Sequence, residues 1–486
     1  MINLKLSEII SNTKVLDVVN LTEKCISNIF TDTRKIGDIG QLKGYNQEFG
    51  VSEGLFICIR GENFDGHDFI CEAYNKGVNN FVIQDTAKIP ENLKELVSFI
   101  VVKDTVKFMG DLAKLVIKKR KEINENFRVI AVAGSAGKTT TKNIIKNVFE
   151  IMGLSVIASE KSFNNEIGVP LTVFRITNET QVLVLEMGMR GFGQIEYLCS
   201  ITQPDYGVIT SIGPEHLEFV KNIKGVIRAE TELTDYLMSL GRYFIVPKKI
   251  KNIYRNYKNF DYLPNNKFFI KNFHIDLSNI KTVFQMVFNG VKYDLVIDNI
   301  VSTPIIYNLL FSLRLYEKFN LETLNKKENI HKIIENSNHI ITKSLENDRF
   351  YFQKISDNTY VIADYYNSNY LSLLENLKVV EKMFNYFDNI FLFIGDMLEL
   401  GNRTEFYHSL ILRRLSSYPN KVRVYHIGNI FYSFKDEYPN FVFYESVDKA
   451  VSDQLFSLGP QKKLIFIKGS RALKLEKIHE KILNNI

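Results

Sequence analysis

The sequence predicts an α/β protein, with a central, doubly wound parallel sheet flanked by a smaller N-terminal α/β domain and a C-terminal α/β domain. Three observations predict this class. The chain has 486 residues, 45% hydrophobic and 24% charged, the composition of a globular protein long enough for about three domains. Short apolar runs alternate with helix-period segments along most of its length. One apolar run ends in a glycine-rich turn that opens directly onto a helix.

Taken in order, residues 1–105 alternate the strand-like runs GLFICI, NFVIQ and SFIVV with helical segments such as FICEAYNKG. A helical pattern over Val106–Lys119 leads through the polar stretch KRKEINENF into a sharp strand signal, RVIAVAG, so a first boundary is placed at residue 105. From 128 to about 320, VIAVA, QVLVLEMG and DYGVITSIG read as buried strands ending in glycine, and the helices between them imply parallel pairing. A second boundary falls at about residue 325, within the Lys- and Asn-rich stretch KFNLETLNKKENIHK. Beyond it NTYVIAD, NIFLFIGD, KVRVYHIG, NFVFYE and KLIFIKGS are strand-like runs separated by helical segments. The resulting domains are 1–105, 106–325 and 326–486, the last Rossmann-like in its alternation.

Composition also excludes. Formal net charge is +6 over the whole chain, too thin a surplus for a nucleic-acid binder. Four scattered cysteines with no C-x-x-C pair lack zinc spacing and a disulfide framework. No stretch approaches the roughly 18–20 apolar residues that cross a bilayer, and MINLKLSEIISNTK shows no apolar core between a basic segment and a small-residue cleavage site, so no signal peptide is expected. A soluble, cytoplasmic protein without membrane or nucleic-acid partners is expected.

The glycine-rich turn is Gly134-Ser135-Ala136-Gly137-Lys138-Thr139-Thr140. Backbone N–H groups of such a turn, with the N-terminus of the following helix, form an anion cradle. Lys138 would add a point charge to the β- and γ-phosphates, and the Thr139 hydroxyl would meet Mg²⁺. Val132 stands where the longer pattern G-x-x-x-x-G-K-[ST] has its first glycine, so this is a shorter P-loop-type form. Ligands of an open parallel sheet bind outside the carboxyl ends of its strands. Glu186 ends VLVLE, and His216 follows VITSIGPE. Both would reach that edge as candidate Mg²⁺ ligands, although Mg²⁺ prefers oxygen, a strand-terminal Glu is commonly just solvated and a lone His is more often structural.

Four segments together, the phosphate loop, SFNNEIGVPLTVFRI, LEMGMRGFGQIEYL and TSIGPEHLE, resemble the central domain of the ATP-dependent Mur ligases. TDTRK with GLFICIRGENFDGHDFI is similar to that family's uridine-nucleotide-binding N-terminal domain, and GDMLELGNRTEFYH with IFIKGSR to its C-terminal domain. No D-N-P-R signature of the diamino-acid-adding type is present, whereas Asn164-Asn165-Glu166 and Gly395–Gly401 resemble the D-alanyl-D-alanine-adding type.

The resemblance implies an ATP- and Mg²⁺-dependent peptide ligase of peptidoglycan-precursor synthesis, a monomer acting on UDP-N-acetylmuramoyl-tripeptide and D-alanyl-D-alanine. An acyl phosphate would form on the peptide carboxylate and be opened by the dipeptide amine. It assigns Thr139 and Glu186 to one metal, His216 to a second, and Arg349, fifteen positions before Asp364, to the transferring phosphoryl group. Asp364-Tyr365-Tyr366-Asn367-Ser368-Asn369 is similar to the D-x-Y-N-A-N segment that closes on ATP. Thr33 and Arg34, with Gly61, Asp65, Gly66 and His67, are implied in the uridine-diphosphate pocket, and Asn164, Asn165 and Glu166 in substrate binding. His408 could pack or face substrate.

Three departures from the family pattern stand out. Glu230, in GVIRAETEL, occupies the position of a lysine that relatives carbamylate, so a permanent carboxylate is expected to take over that charge. The adenine segment reads Thr303-Pro304-Ile305-Ile306-Tyr307-Asn308 and keeps only the second of two asparagines, Asn308. Ser368 and Tyr370 replace an alanine and a proline, and the loop between Arg34 and Gly54 is longer. A Mur-type ligase with a different acceptor, or a nucleotide-binding pseudoenzyme, are the competing expectations.

Overall fold

A computed structural model describes residues 3–21, 24–37, 53–324, 330–453 and 460–484. The lengthened loop after Arg34 lies mostly, and the boundary at residue 325 entirely, outside the described residues. The chain gathers into two compact units: 1–132 with 153–188 and 194–207, and 133–152 with 189–193 and 208–486.

In the first unit, the runs GLFICI, NFVIQ and SFIVV become the strands Gly54–Ile57, Asn80–Ile83 and Ser98–Val102. They pair in parallel with each other and with Asn28–Phe30, and Val15–Val19 closes one edge antiparallel. Phe30, Phe56, Phe81 and Phe99 fill the core beneath them, with the Phe81 and Phe99 rings stacked at 5.4 Å. The expected helix spans Thr105–Ile123, started by the Asp104 carboxylate accepting from the Val106 and Lys107 amides. Strands Arg128–Ala133, Val182–Glu186 and Val156–Ala158 then lie parallel, in a register that sets Glu186 opposite Val132. These strands are apolar nearly throughout, as strands covered on both faces must be.

The second unit begins where that sheet delivers its glycine-rich turn. Helix Lys138–Ile151 follows the turn, and the helix Ile223–Ser239 is opened by the Asn222 side chain. Tyr243–Pro247 and Phe260–Leu263 pair in parallel in this unit. An antiparallel meander follows, Phe268–Asp276, Lys281–Phe288 and Val291–Ile297, where continued strand–helix alternation was expected. Its signal was present: KTVFQMVF alternates in burial, and Asn289-Gly290, both at positive φ, make the tight turn. Pro304 sits in the first turn of the helix Thr303–Thr323, where its missing N–H costs nothing.

The five C-terminal runs form Thr359–Asp364, Asn389–Gly395, Val422–Ile427, Val442–Tyr444 and Lys463–Lys468, all parallel. Tyr351–Ser356 adds an antiparallel edge strand. Under this sheet His426 is fully buried among Phe431, Phe441 and Phe443, and neither ring nitrogen has a hydrogen-bond partner. Burial, helped by nearby His408, pushes its pKa down to about 3. The unfolded chain therefore takes up a proton that the native chain refuses, so this residue's stability contribution is complete above about pH 6.5 and is lost as pH falls toward 3. His426→Leu is expected to gain about 2–3 kcal/mol on the unmodified protein between pH 6.5 and 4.5, measured by urea unfolding. A pH-independent difference would show that the ring does not stay neutral.

Candidate active site

The phosphate loop leaves the buried strand Arg128–Ala133 at Gly134, φ +123°, and enters its helix at Gly137, φ +83°. A Cβ at Gly134 would stand 2.4 Å from Thr210 Oγ1, so only glycine fits. The neighbouring segment braces the turn. The Ser135 amide donates to Ser211 O at 2.9 Å and the Ala136 amide to Ser211 Oγ at 2.9 Å. Thr210 Oγ1 donates to Ala136 O at 2.7 Å, and the Gly213 amide donates to Ser135 Oγ at 2.9 Å. Lys138 Nζ donates to Gly134 O at 2.6 Å, Thr139 is buried, and Thr140 is half-buried.

Beneath the loop, Glu230 is fully buried and its Oε2 accepts the Gly134 amide at 2.5 Å. Glu215, 6% exposed, is its acidic neighbour. Burial raises both carboxyls; Lys138 opposes this at each, while the Glu230 charge raises Glu215 further. Two carboxylates this close hold one proton between them more readily than none. Apart from that shared proton, Oε1 of each is buried without a hydrogen-bond partner. His216 follows at φ +50°, its Nδ1 against the Glu399 carboxylate and its Nε2 4.0 Å from Glu215 Oε2. Burial lowers its pKa and the Glu399 charge opposes that.

Later segments of the same unit also reach the loop. Asn308 is buried, its amide 3.6 Å from where a Gly137 Cβ would lie. Asn369 caps the helix Tyr370–Lys382 and donates from Nδ2 to Ser135 O at 2.9 Å. Asp364 Oδ2 accepts from Asn376 and from buried Lys468 Nζ at 2.7 Å, and the same ammonium donates to Asn367 O at 3.1 Å. Asn367 Oδ1 turns onto the Ser368 amide. Arg349 donates to Glu346 Oε2 at 2.9 Å and covers the Tyr366 ring at 3.9 Å. Glu346 in turn accepts from Asn143 of the phosphate-loop helix at 3.2 Å.

In the first unit Glu186 is 2% exposed, and its Oε1 accepts from Asn164 Nδ2 at 2.9 Å. Asn165 Oδ1 accepts the Gly168 amide at 2.9 Å, opening the helix Gly168–Val173, and Glu166 is exposed. Thr33 is buried, with its carbonyl held by Lys76 Nζ at 2.9 Å. Arg34, 87% exposed at its side chain, pairs with Asp32 at 2.7 Å. Gly61 takes the Phe64 carbonyl in a tight turn, and Gly66 packs where a Cβ would meet Ile59 N at 2.7 Å. His67 is occupied at both nitrogens, by Asp65 Oδ1 at 2.5 Å and by the Gln84 amide at 3.0 Å, and this pairing holds Asp65 down at about 2. His408 is structural too. It is buried, accepts the Met397 amide at Nε2 and gives Nδ1–H to Thr404 O.

The motifs do not single out Thr210, Ser211, Glu215, Glu399 or Lys468 as site residues. Serine and threonine brace a turn only through tertiary neighbours, so they carry no spacing signal. All five lie within TSIGPEHLE, GDMLELGNRTEFYH or IFIKGSR, and left-handed backbone at His216 and Glu399 is invisible in one-letter code. Within the second unit, the Thr139 hydroxyl and the buried carboxyl oxygens of Glu215 and Glu230 form a donor chemistry that fits Mg²⁺.

A glycine-rich turn between a buried parallel strand and a helix, with a lysine and acidic groups around it, defines a phosphate-binding α/β enzyme of the P-loop class. The Mur ligase middle domain matches residues 132–315, and the Mur ligase catalytic-domain family matches residues 50–116. The chain belongs to the Mur ligase family. It is 28% identical over 477 residues to the UDP-N-acetylmuramoyl-tripeptide–D-alanyl-D-alanine ligase of Buchnera aphidicola subsp. Acyrthosiphon pisum, covering 94% of this chain and 93% of that protein. To the Bacillus subtilis protein of the same name it is 27% identical, covering 95% and 94%. Its fold superimposes on MurF of Acinetobacter baumannii with a TM-score of 0.79 at 20% identity, covering 96% and 95%. The Thermotoga maritima MurF ligase complexed with ADP gives 0.74 at 20% identity, covering 94% and 97%.

Proposed function

We propose that this chain is the ATP-dependent ligase that joins D-alanyl-D-alanine to UDP-N-acetylmuramoyl-tripeptide in peptidoglycan-precursor synthesis. The observation that carries the proposal is the braced phosphate loop with Lys138 at its mouth, in a chain matched nearly end to end by relatives of that name. The peptide carboxylate oxygen attacks the γ-phosphorus of ATP; the new P–O bond replaces the bond to the β,γ-bridging oxygen, and ADP leaves. The dipeptide amine then attacks the acyl carbon, the C–N bond replaces the C–OPO₃ bond, phosphate leaves, and the amine's proton passes to solvent. The first step brings like charges together, so cations must be aimed at the phosphoryl group.

Lys138 and Arg349 are the protein's cations for that charge, and the loop amides cradle the phosphates. Thr139, Glu186 and His216 would hold Mg²⁺, which supplies Lewis-acid neutralisation when bound. Asn308 and the Asp364–Asn367 segment serve the nucleoside. Thr33 and Arg34 serve the uridine diphosphate, and Asn164, Asn165 and Glu166 the precursor's peptide side. Glu230 supplies a permanent carboxylate under the loop. We assign the three roles to 1–105 (precursor), 106–325 (ATP) and 326–486 (lid and acceptor), in a cytoplasmic monomer with no nucleic-acid or membrane partner. The test is phosphate release with ATP, the UDP-tripeptide and the dipeptide, each omitted in turn. Release requiring all three is expected; release indifferent to D-alanyl-D-alanine overturns the assignment.

A further inference from the structure

The segment Gly395–Gly401 is held in place on several sides. The Asp396 carboxylate accepts the Ile430 and Phe431 amides at 2.9 and 2.8 Å, and its carbonyl accepts Ser470 Oγ at 2.9 Å. His408 accepts the Met397 amide at 3.1 Å, and Met397 and Leu400 are buried. Against this rigid base Glu399 is held at φ +61°, a conformation that a side-chain-bearing residue adopts only when its surroundings enforce it. The residue it touches, His216, is also left-handed, at φ +50°. The two segments meet three ways. Glu399 Oε2 lies against His216 Nδ1 as a close charge contact outside hydrogen-bond geometry, the Glu218 amide donates to Glu399 O at 3.2 Å, and a Cβ at Gly401 would lie 3.0 Å from Glu218 Cα. Arg190 lies 3.8 Å from the other Glu399 oxygen.

We propose that Glu399 is a positioning residue for His216: its carboxylate holds Nδ1, fixes the ring, and presents Nε2 on the side of Glu215 and the phosphate loop. A histidine that uses one nitrogen on a cation is commonly oriented by a carboxylate on the other. Here that carboxylate comes from a segment distant in sequence, so the phosphoryl-transfer site is complete only when Gly395–Gly401 is docked. The proposal rests on the ligase reading above.

Binding is measured by electron paramagnetic resonance of Mn²⁺ with ADP, on the full chain and on Glu399→Gln, Glu399→Asp and His216→Ala, with melting temperature as a fold control. Mn²⁺ affinity in the presence of ADP falls roughly 10–100-fold in Glu399→Gln and comparably in His216→Ala, and Glu399→Asp recovers part of it. In turnover, kcat falls in Glu399→Gln while KM for the UDP-tripeptide is unchanged. Glu399→Gln with unaltered Mn²⁺ affinity and kcat overturns the proposal, as does equal loss in Gln and Asp variants with melting lowered alike. Because Mn²⁺ binding is read without turnover, an unmodified chain that lacks ligase activity would overturn only the ligase reading.

Discussion

Lys138→Ala lowers acceptor-dependent phosphate release by about a hundredfold to a thousandfold, the scale of losing one preorganised charge aimed at a developing anion. The side chain stands at the first position of the phosphate-loop helix, and its ammonium donates to Gly134 O at 2.6 Å. Swinging from that carbonyl to a phosphate exchanges a hydrogen bond to a neutral oxygen for one to an anion, so little is lost in the ground state and much is gained in transfer. Alanine is a good helix former, and removing one loop hydrogen bond costs about 1 kcal/mol, so the variant stays folded. The check is the three-substrate phosphate-release assay beside a melting curve. Activity within tenfold of the unmodified chain would remove Lys138 from the phosphoryl site.

Glu230→Lys is the second large effect. The native carboxylate accepts the Gly134 amide at 2.5 Å while fully buried. A lysine there removes that acceptor, leaves a buried N–H unpaired at about 1–3 kcal/mol, and sets a second ammonium near Lys138. In bicarbonate-free buffer, activity is expected to drop by about a hundredfold or more. Added bicarbonate restores part of it, since a carbamate returns a carboxylate to the position. Unchanged activity with no bicarbonate response would show that the Glu230 charge has no part in the reaction. Glu230→Gln separates the two contributions, because the amide oxygen still accepts from Gly134 without carrying charge.

The strands around the phosphate loop were legible because strands buried on both faces read as continuous apolar runs, and a glycine-rich turn punctuates one of them unmistakably. The C-terminal sheet was legible for the same reason. The meander over 268–297 was passed over because half-buried strands alternate with polar residues and resemble connecting segments, although Asn289-Gly290 marked its turn. His67 and His408 show the other limit. Each sits in a motif that resembles a site, yet backbone amides and a carboxylate or carbonyl occupy both nitrogens of both rings.

The sequence by itself determined the α/β class, the phosphate loop with Lys138 and Thr139, the strand-end position of Glu186, and His216 in the segment after Tyr206–Ile209. These are local signals, written in periodicity and in spacing along a few residues. Only the tertiary structure decided that Glu230 grips the Gly134 amide, that Glu215 lies beside it, that Asn369 reaches Ser135, and that Glu399 holds His216. Each of these pairs joins residues far apart in the chain, and a long-range contact is set by packing, which leaves no spacing in the sequence to read.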